Sequence, residues 1–468
     1  MVDRRRPGSR NQKAKPKAKP KMDVPRLAAW EVLKAVRVDD AYTNLVLPSV
    51  LAEHGLTGRD AAFVTELVSG TIRRQATYDA VLAACVDRSL AKVEAKVLDA
   101  LRLGTHQLLS MRVPAHAAIS TTVDLVRSKV GPGAAGFANA VLRKVTAHDL
   151  DAWVDRVAPD RGTDPTGHAA VASSHPRWVV DELRRAVGAD ELDALLAADN
   201  EPPRVTLVAR PGRATLEELP GQPTPWSPYG VVLESGDPGA VPAVAEGRAG
   251  VQDEGSQLVA EAAAAAAVEG RDERWLDLCA GPGGKSALLA ALAAGRGARL
   301  VAGERQPHRA RLVARNLRGA DGPVAGVAGV LTADGTRPPF REGTFDRVLV
   351  DAPCTGLGAL RRRPEARWRR RPQDLADLVA LQRALVGSAL DLVRPGGAVL
   401  YATCSPVLAE TAEVVEAVLG SRGDVRLEDA SGLLAHVPDA AGPLEGTLQL
   451  WPHRHGTDAM FLALMRRT

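Results

Sequence analysis

The stretch WLDLCAGPGGKS, Trp275–Ser286, decides how this chain is read. A short apolar run passes through Asp277 into a turn holding Gly281, Gly283 and Gly284, and a helix-like pattern opens at Lys285. A strand that meets a helix across a glycine-rich turn is the first unit of an open α/β sheet, and its bare backbone N–H groups can approach a ligand closely. The turn is not a triphosphate cradle. A phosphate-binding loop ending in Gly284-Lys285-Ser286 requires glycine five residues before Gly284, where Cys279 stands. A dinucleotide fingerprint fails too, because Ser286 occupies its third glycine position.

Working outward, further apolar runs recur between helical patterns: RLVAGE (299–304), GVAGVL (326–331), DRVLVD (346–351) and AVLYAT (398–403). Helix patterns start near Lys285, Pro307 and Pro372, while TLQLW and MFLALM near the end are expected as antiparallel edge strands. This alternation predicts a parallel sheet covered by helices, with right-handed crossovers bringing all parallel carboxyl ends to one rim. Glu304, Asp334 and Asp351 follow the second, third and fourth runs, so the rim is acidic. Carboxylates repel phosphates but attract a cation, and an acidic residue after the second strand can hold ribose hydroxyls. S-adenosyl-L-methionine, a neutral adenosine joined to a sulfonium, meets these requirements.

Upstream the pattern differs. From Pro25 to Val145 apolar residues recur at spacings of three and four, as in KVLDALRLGTHQLLSM, which predicts an all-helical domain. A helical part from Trp178 to Leu196 then leads into Pro- and Gly-rich sequence with β-type runs, RVTLVA and YGVVLES. The expected division is a basic arm over 1–22, a helical domain over 23–148, a linker with a small α+β module over 149–250, and an α/β domain over 251–468.

Composition sets bounds. The chain has 468 residues, 45% hydrophobic, and aromatics at 3% leave Leu, Val and Ala to fill the interior. Its formal charge of +4 is concentrated, with nine Lys or Arg between Arg4 and Lys21 interleaved with Pro and Ala. Such an arm is expected to be disordered, serving solubility or attraction to a polyanion. No apolar stretch is long enough for a membrane span, and no signal peptide is evident. Four cysteines, Cys85, Cys279, Cys354 and Cys404, lack CxxC spacing. A metal site and a disulfide framework are therefore not expected, and reduced thiols in the cytoplasm are.

Two of those thiols fall on the acidic rim, Cys354 after the fourth run and Cys404 after the fifth. A thiolate beside a sulfonium donor suits carbon 5 of cytosine, a poor nucleophile until a thiolate adds to carbon 6. DLCAGPGGKS, DAPCTGLGALRRRPEARW and YATCSP, in that order, resemble the principal motifs of the bacterial Sun/Fmu (RsmB-type) 16S ribosomal RNA cytosine-5 methyltransferases, and the likeness runs from about Val24 to the end. The resemblance implies a Rossmann-like methyltransferase domain in which Cys279, Ala280, Gly281, Pro282, Gly283, Gly284, Lys285, Glu304, Asp334 and Asp351 line the donor pocket. It also implies Cys404 as nucleophile and Cys354 in product release. Asp351 is placed to contact the cytosine and its protonated N3.

The helical domain is similar to the NusB fold through ALRLGTHQLLSMRVPAHAAIS and GFANAVLRKV, which implies binding of ribosomal RNA, 16S foremost, with no obligatory protein partner evident. Seven arginines between Arg361 and Arg371 follow the Cys354 segment, and Arg361, Arg362, Arg363 and Arg367 are expected to contact RNA phosphate. Two departures from the family pattern are Glu410-Thr411-Ala412, expected to loosen the support behind Cys404, and Asp458-Ala459-Met460-Phe461, expected to alter packing near the target base. Rival readings are the same chemistry on transfer RNA, or a non-catalytic RNA-binding assembly factor.

Overall fold

A computed structural model of the chain describes residues 22–39, 41–319 and 322–468. Apart from Met22, the expected basic arm lies outside the described residues. The principal sheet comprises β1 (Arg274–Asp277), β2 (Arg299–Glu304), β3 (Val327–Thr332), β4 (Phe345–Asp351), β5 (Val393–Thr403), β6 (Val425–Glu428) and β7 (Phe461–Arg467), with the two-residue strand Leu448–Gln449 of the TLQLW run pairing antiparallel to β7 off this path. Their order is β6-β7-β5-β4-β1-β2-β3, parallel from β5 through β3, with β7 antiparallel to both β5 and β6.

Alternate residues face opposite layers. Trp275, Leu349 and Leu400 pack with the helices Glu254–Ala265 and Gly284–Gly295, whereas Leu276, Val348, Val350 and Tyr401 pack with Asp374–Leu392 and Ala412–Ser421. Burial on both faces is why the strands read as continuous apolar runs. The expectation that MFLALM forms an edge strand is corrected. β7 lies between β5 and β6, and the edge is the four-residue VRLE strand, whose charged residues conceal it from an apolar pattern.

Among the described residues seven α-helices, from Val24–Val38 to Pro132–Val145, enclose a core that includes Leu67, Leu101, Leu142 and Cys85. The helix expected over 178–196 is two, Arg177–Val187 and Ala189–Ala198, divided at Gly188, whose φ of +86° ends the first. The small module is a four-stranded antiparallel sheet around Thr206–Ala209. Among the described residues no helix is long and apolar enough to cross a membrane.

The arginine-rich segment proves to be the joint between the helical and α/β domains. Glu365 accepts hydrogen bonds from Thr43 N (3.2 Å) and Oγ1 (3.0 Å), and Trp368 packs on the helical core while its indole N–H donates to Ile72 O at 2.8 Å. Arg367 is 0% exposed and donates to the carbonyls of Arg73, Ser174 and Asp199 and to Asn200 Oδ1. This corrects its expected role at RNA phosphate: its guanidinium is spent on carbonyls gathered from three regions of the chain. The two terminal nitrogens are met by these four oxygens, Nε has no partner among the described residues, and burial lowers the guanidinium to about 9.

Candidate active site

β1 delivers Asp277 at the head of the glycine-rich loop, and the helix Gly284–Gly295 starts directly after it. Asp277 is buried and accepts from Ser286 Oγ (2.6 Å) and Cys279 N (3.3 Å), which ties the two ends of the loop together. Burial pushes its carboxyl up to about 7. A Cβ added to Gly281 would lie 2.0 Å from Glu304 Oε2, and Gly283, at φ +111°, would place one 2.9 Å from Val313 Cα. Glycine at these positions is therefore a condition of the loop resting against β2 and the helix Pro307–Asn316. Arg309 and Asn316 hold the loop from that helix through Gly281 O (2.6 Å) and Pro282 O (2.8 Å).

Glu304 closes β2, Asp334 follows β3 and Asp351 closes β4. Glu304 is 5% exposed; its Oε1 accepts from Gln306 N at 2.8 Å, and its Oε2 lies 3.6 Å from Arg309 Nε. Asp334 folds one oxygen back onto Thr336 N and Oγ1, while its other oxygen is 3.8 Å from Arg305. Asp351 Oδ2 accepts from Lys285 Nζ at 2.8 Å, so a loop residue and the end of β4 are joined by an ion pair. That pairing and nearby carboxylates outweigh burial, raising the Lys285 ammonium above its ordinary value and keeping it charged.

Beside this pair the two thiols meet. Cys354 Sγ and Cys404 Sγ lie 3.5 Å apart, Cys354 buried and Cys404 half-buried. The hydrogen bond from Cys354 lowers the Cys404 thiol below its ordinary value, helped by Arg363 and Lys285, against the opposing pull of burial and Asp351. The same bond, reinforced by burial, holds Cys354 well above the ordinary range. The contact thus favours the proton on Cys354 and eases ionisation of Cys404, the division a nucleophile with a neighbouring donor requires. Burial, together with the carboxylates of Asp277, Asp351 and Glu304, raises the Cys279 thiol well up.

The remaining arginines separate by environment. Arg362 is paired with Asp458, and Arg361 donates to Gly456 O at 2.5 Å. Arg363 is half-buried, interacts electrostatically with Cys404, and among the described residues its guanidinium carries no hydrogen bond or ion pair.

Three side chains to which the sequence reading assigned no role of their own also shape the site. Gln252 is 6% exposed with both amide atoms unpartnered, and it lies against Gly284. Asp277 stood within the quoted motif but was not singled out. Glu410 is 0% exposed and reaches both thiol loops, so the support expected to be loosened by Thr411 and Ala412 is intact.

A doubly covered parallel sheet with a glycine turn, an acidic rim and a paired thiol defines the α/β methyltransferase class, here with an attached helical domain. The chain matches the model of the 16S rRNA methyltransferase RsmB/F over residues 266–466 and the NusB family over 23–147. It is 53% identical to a putative methyltransferase of Mycobacterium tuberculosis (strain H37Rv), across 98% of this chain and 99% of that one. It is 31% identical to a probable ribosomal RNA small subunit methyltransferase B of Bacillus subtilis, across 94% and 98%. Among solved structures, that of PH0851 shares the fold with a TM-score of 0.78 and 23% identity, covering 96% of this chain and all (100%) of that one. NSun6 from Pyrococcus horikoshii with SFG does so with a TM-score of 0.53 and 17% identity, covering 62% and 98%. The chain belongs to the RsmB/F family of ribosomal RNA methyltransferases. Its methyl donor is S-adenosyl-L-methionine, and the residues present fit it: a carboxylate beneath Gly281, a cation-attracting rim, and the unpartnered amide of Gln252 beside the loop.

Proposed function

We propose that the protein methylates carbon 5 of a cytosine in 16S ribosomal RNA through a covalent bond between Cys404 and carbon 6. The observation that carries this reading is the pair of thiols 3.5 Å apart, one of them depressed, beside the Lys285–Asp351 ion pair. Cys279, Ala280, Gly281, Pro282, Gly283, Gly284 and Lys285, with Glu304, Asp334 and Asp351, hold the donor, which when bound supplies an electrophilic methyl group.

The Cys404 thiolate adds to carbon 6, forming the S–C6 bond and moving the ring's π pair toward carbon 5 and N3. Asp351 stands against the cytosine and stabilises its protonated N3. Carbon 5 then takes the methyl group that the donor would supply and loses its proton to solvent, while N3 gives back the proton it took up; the C5–C6 double bond returns, and the S–C6 pair goes back to sulfur. Cys354, bearing its proton beside that sulfur, assists the release. Carbon 6 of a stacked base is shielded, so the target is an unpaired or extruded cytosine. Arg363 is the arginine best supported for a phosphate contact near the target, with Arg361 and Arg362 at its flank, and the helical domain over 23–148 holds the RNA beyond. Relatives described as ribosomal RNA small subunit methyltransferases favour small-subunit RNA over transfer RNA, and a ribosomal substrate sets the reaction in the cytoplasm.

The test uses 16S transcript or isolated small subunits with labelled donor. Cys404→Ala abolishes methylation, and Cys354→Ala accumulates protein covalently joined to RNA. Accumulation with Cys404→Ala instead would reverse the two assignments, and bisulfite sequencing that finds no new 5-methylcytosine would refute the reaction.

A further inference from the structure

Glu410 is a fully buried carboxylate that no cation pairs with among the described residues. Its Oε1 accepts from Thr355 N (2.8 Å) and Gln382 Nε2 (3.0 Å), and its Oε2 from Thr355 Oγ1 (2.5 Å) and Ser405 Oγ (2.6 Å). Thr355 directly follows Cys354, and Ser405 directly follows Cys404. The two hydroxyls are themselves 3.0 Å apart, and Gln382 also donates to Pro353 O at 2.9 Å, on the other side of Cys354. Tyr401 O–H donates to the Glu410 carbonyl at 2.6 Å, anchoring this carboxylate to β5 itself.

We propose that Glu410 is the positioning residue of the thiol pair, clamping the loops after β4 and β5 so that Cys354 and Cys404 face each other at bonding distance. The inference rests on the covalent cysteine chemistry proposed above. Burying a carboxylate without a counter-ion is unfavourable, and four donors at charge-assisted distances offset that cost. The arrangement is specific because a carboxylate has acceptors alone: all four donors can be satisfied at once, in one geometry. Its charge adds to the causes that keep Cys354 protonated.

Substitution separates geometry from charge. Glu410→Ala removes the clamp, and a displacement of about 1 Å between reacting groups lowers rate on the order of 100-fold. This loss falls on kcat, with KM for RNA and donor unchanged within about twofold, because the residue touches neither. Glu410→Gln keeps an oxygen for the two N–H donors and turns an NH2 toward two hydroxyls that can accept instead, so it recovers kcat to within about tenfold of wild type.

The assay is labelled-methyl transfer to 16S transcript or small subunits, with donor binding by calorimetry as the check on folding. Glu410→Ala turning over at the wild-type kcat overturns the proposal, and so does Glu410→Gln if it binds donor yet is as slow as the alanine variant. Should Glu410→Ala not accumulate as folded protein, Thr355→Val with Ser405→Ala removes the two hydroxyl arms, and a wild-type kcat there has the same consequence. The wild-type protein is the internal control. Its failure to methylate cytosine refutes the activity and this role together, whereas normal activity with an unaffected Glu410→Ala refutes the role alone.

Discussion

Replacing Cys354 by alanine is the sharpest probe of the reacting centre. The hydrogen bond it removes is the foremost cause of the lowered Cys404 thiol; burial and Asp351 then oppose ionisation, with Arg363 and Lys285 left to favour it. A hydrogen bond to a charged group contributes about 1.5–3 kcal/mol, and about 1.4 kcal/mol is tenfold in an equilibrium. The thiolate fraction of Cys404 near neutral pH should therefore fall roughly 10- to 100-fold. The sign follows from the direction of the shift. In the wild type Cys404 ionises below an ordinary thiol, so its alkylation rate climbs and levels at lower pH; in Cys354→Ala the climb moves to higher pH. Iodoacetamide alkylation without RNA, read at the Cys404 peptide by mass spectrometry from about pH 6 to 9, measures this directly. Cys85 and Cys279, both raised by burial, provide slow internal references. An unchanged profile in the variant would refute the paired-thiol argument. The covalent adduct expected with this variant would form more slowly and still accumulate, since its release is impaired.

Two further outcomes are expected. Gly281→Ala sets a methyl group 2.0 Å from Glu304 Oε2, so either the loop or the carboxylate must move, and calorimetry should show donor affinity down by at least about tenfold; unaltered affinity would mean that Glu304 and the loop do not hold the donor jointly. Trp368→Ala removes an indole packed on the helical core and its bond to Ile72 O, weakening the joint by about 2–4 kcal/mol. Limited proteolysis between the helical and α/β domains should then proceed faster, and an unchanged cleavage rate would show the joint to rest elsewhere.

What sequence alone settled is what neighbouring residues settle among themselves. The glycine turn after Asp277, the acidic residues closing β2 and β4, and the cysteines after β4 and β5 were legible because each belongs to one continuous strand-and-turn unit, and parallel topology sends those units to one rim. The helical domain was legible for the same reason, through its spacing of three and four. Tertiary structure decided whatever depends on partners brought from far along the chain. The arginine run looked like a phosphate clamp, yet Arg367 is buried by carbonyls from positions 73, 174 and 199, while Glu365 and Trp368 reach residues 322 and 296 positions away in the helical domain. Charge pattern cannot tell a solvated guanidinium from a buried one, because the acceptors that decide it lie elsewhere in sequence. Glu410 is the counterpart: in the sequence it stood beside a departure from the family pattern, and in the fold it joins loops fifty residues apart. The 3.5 Å between two sulfurs, and the unequal ionisation it produces, exist only once β4 and β5 lie side by side.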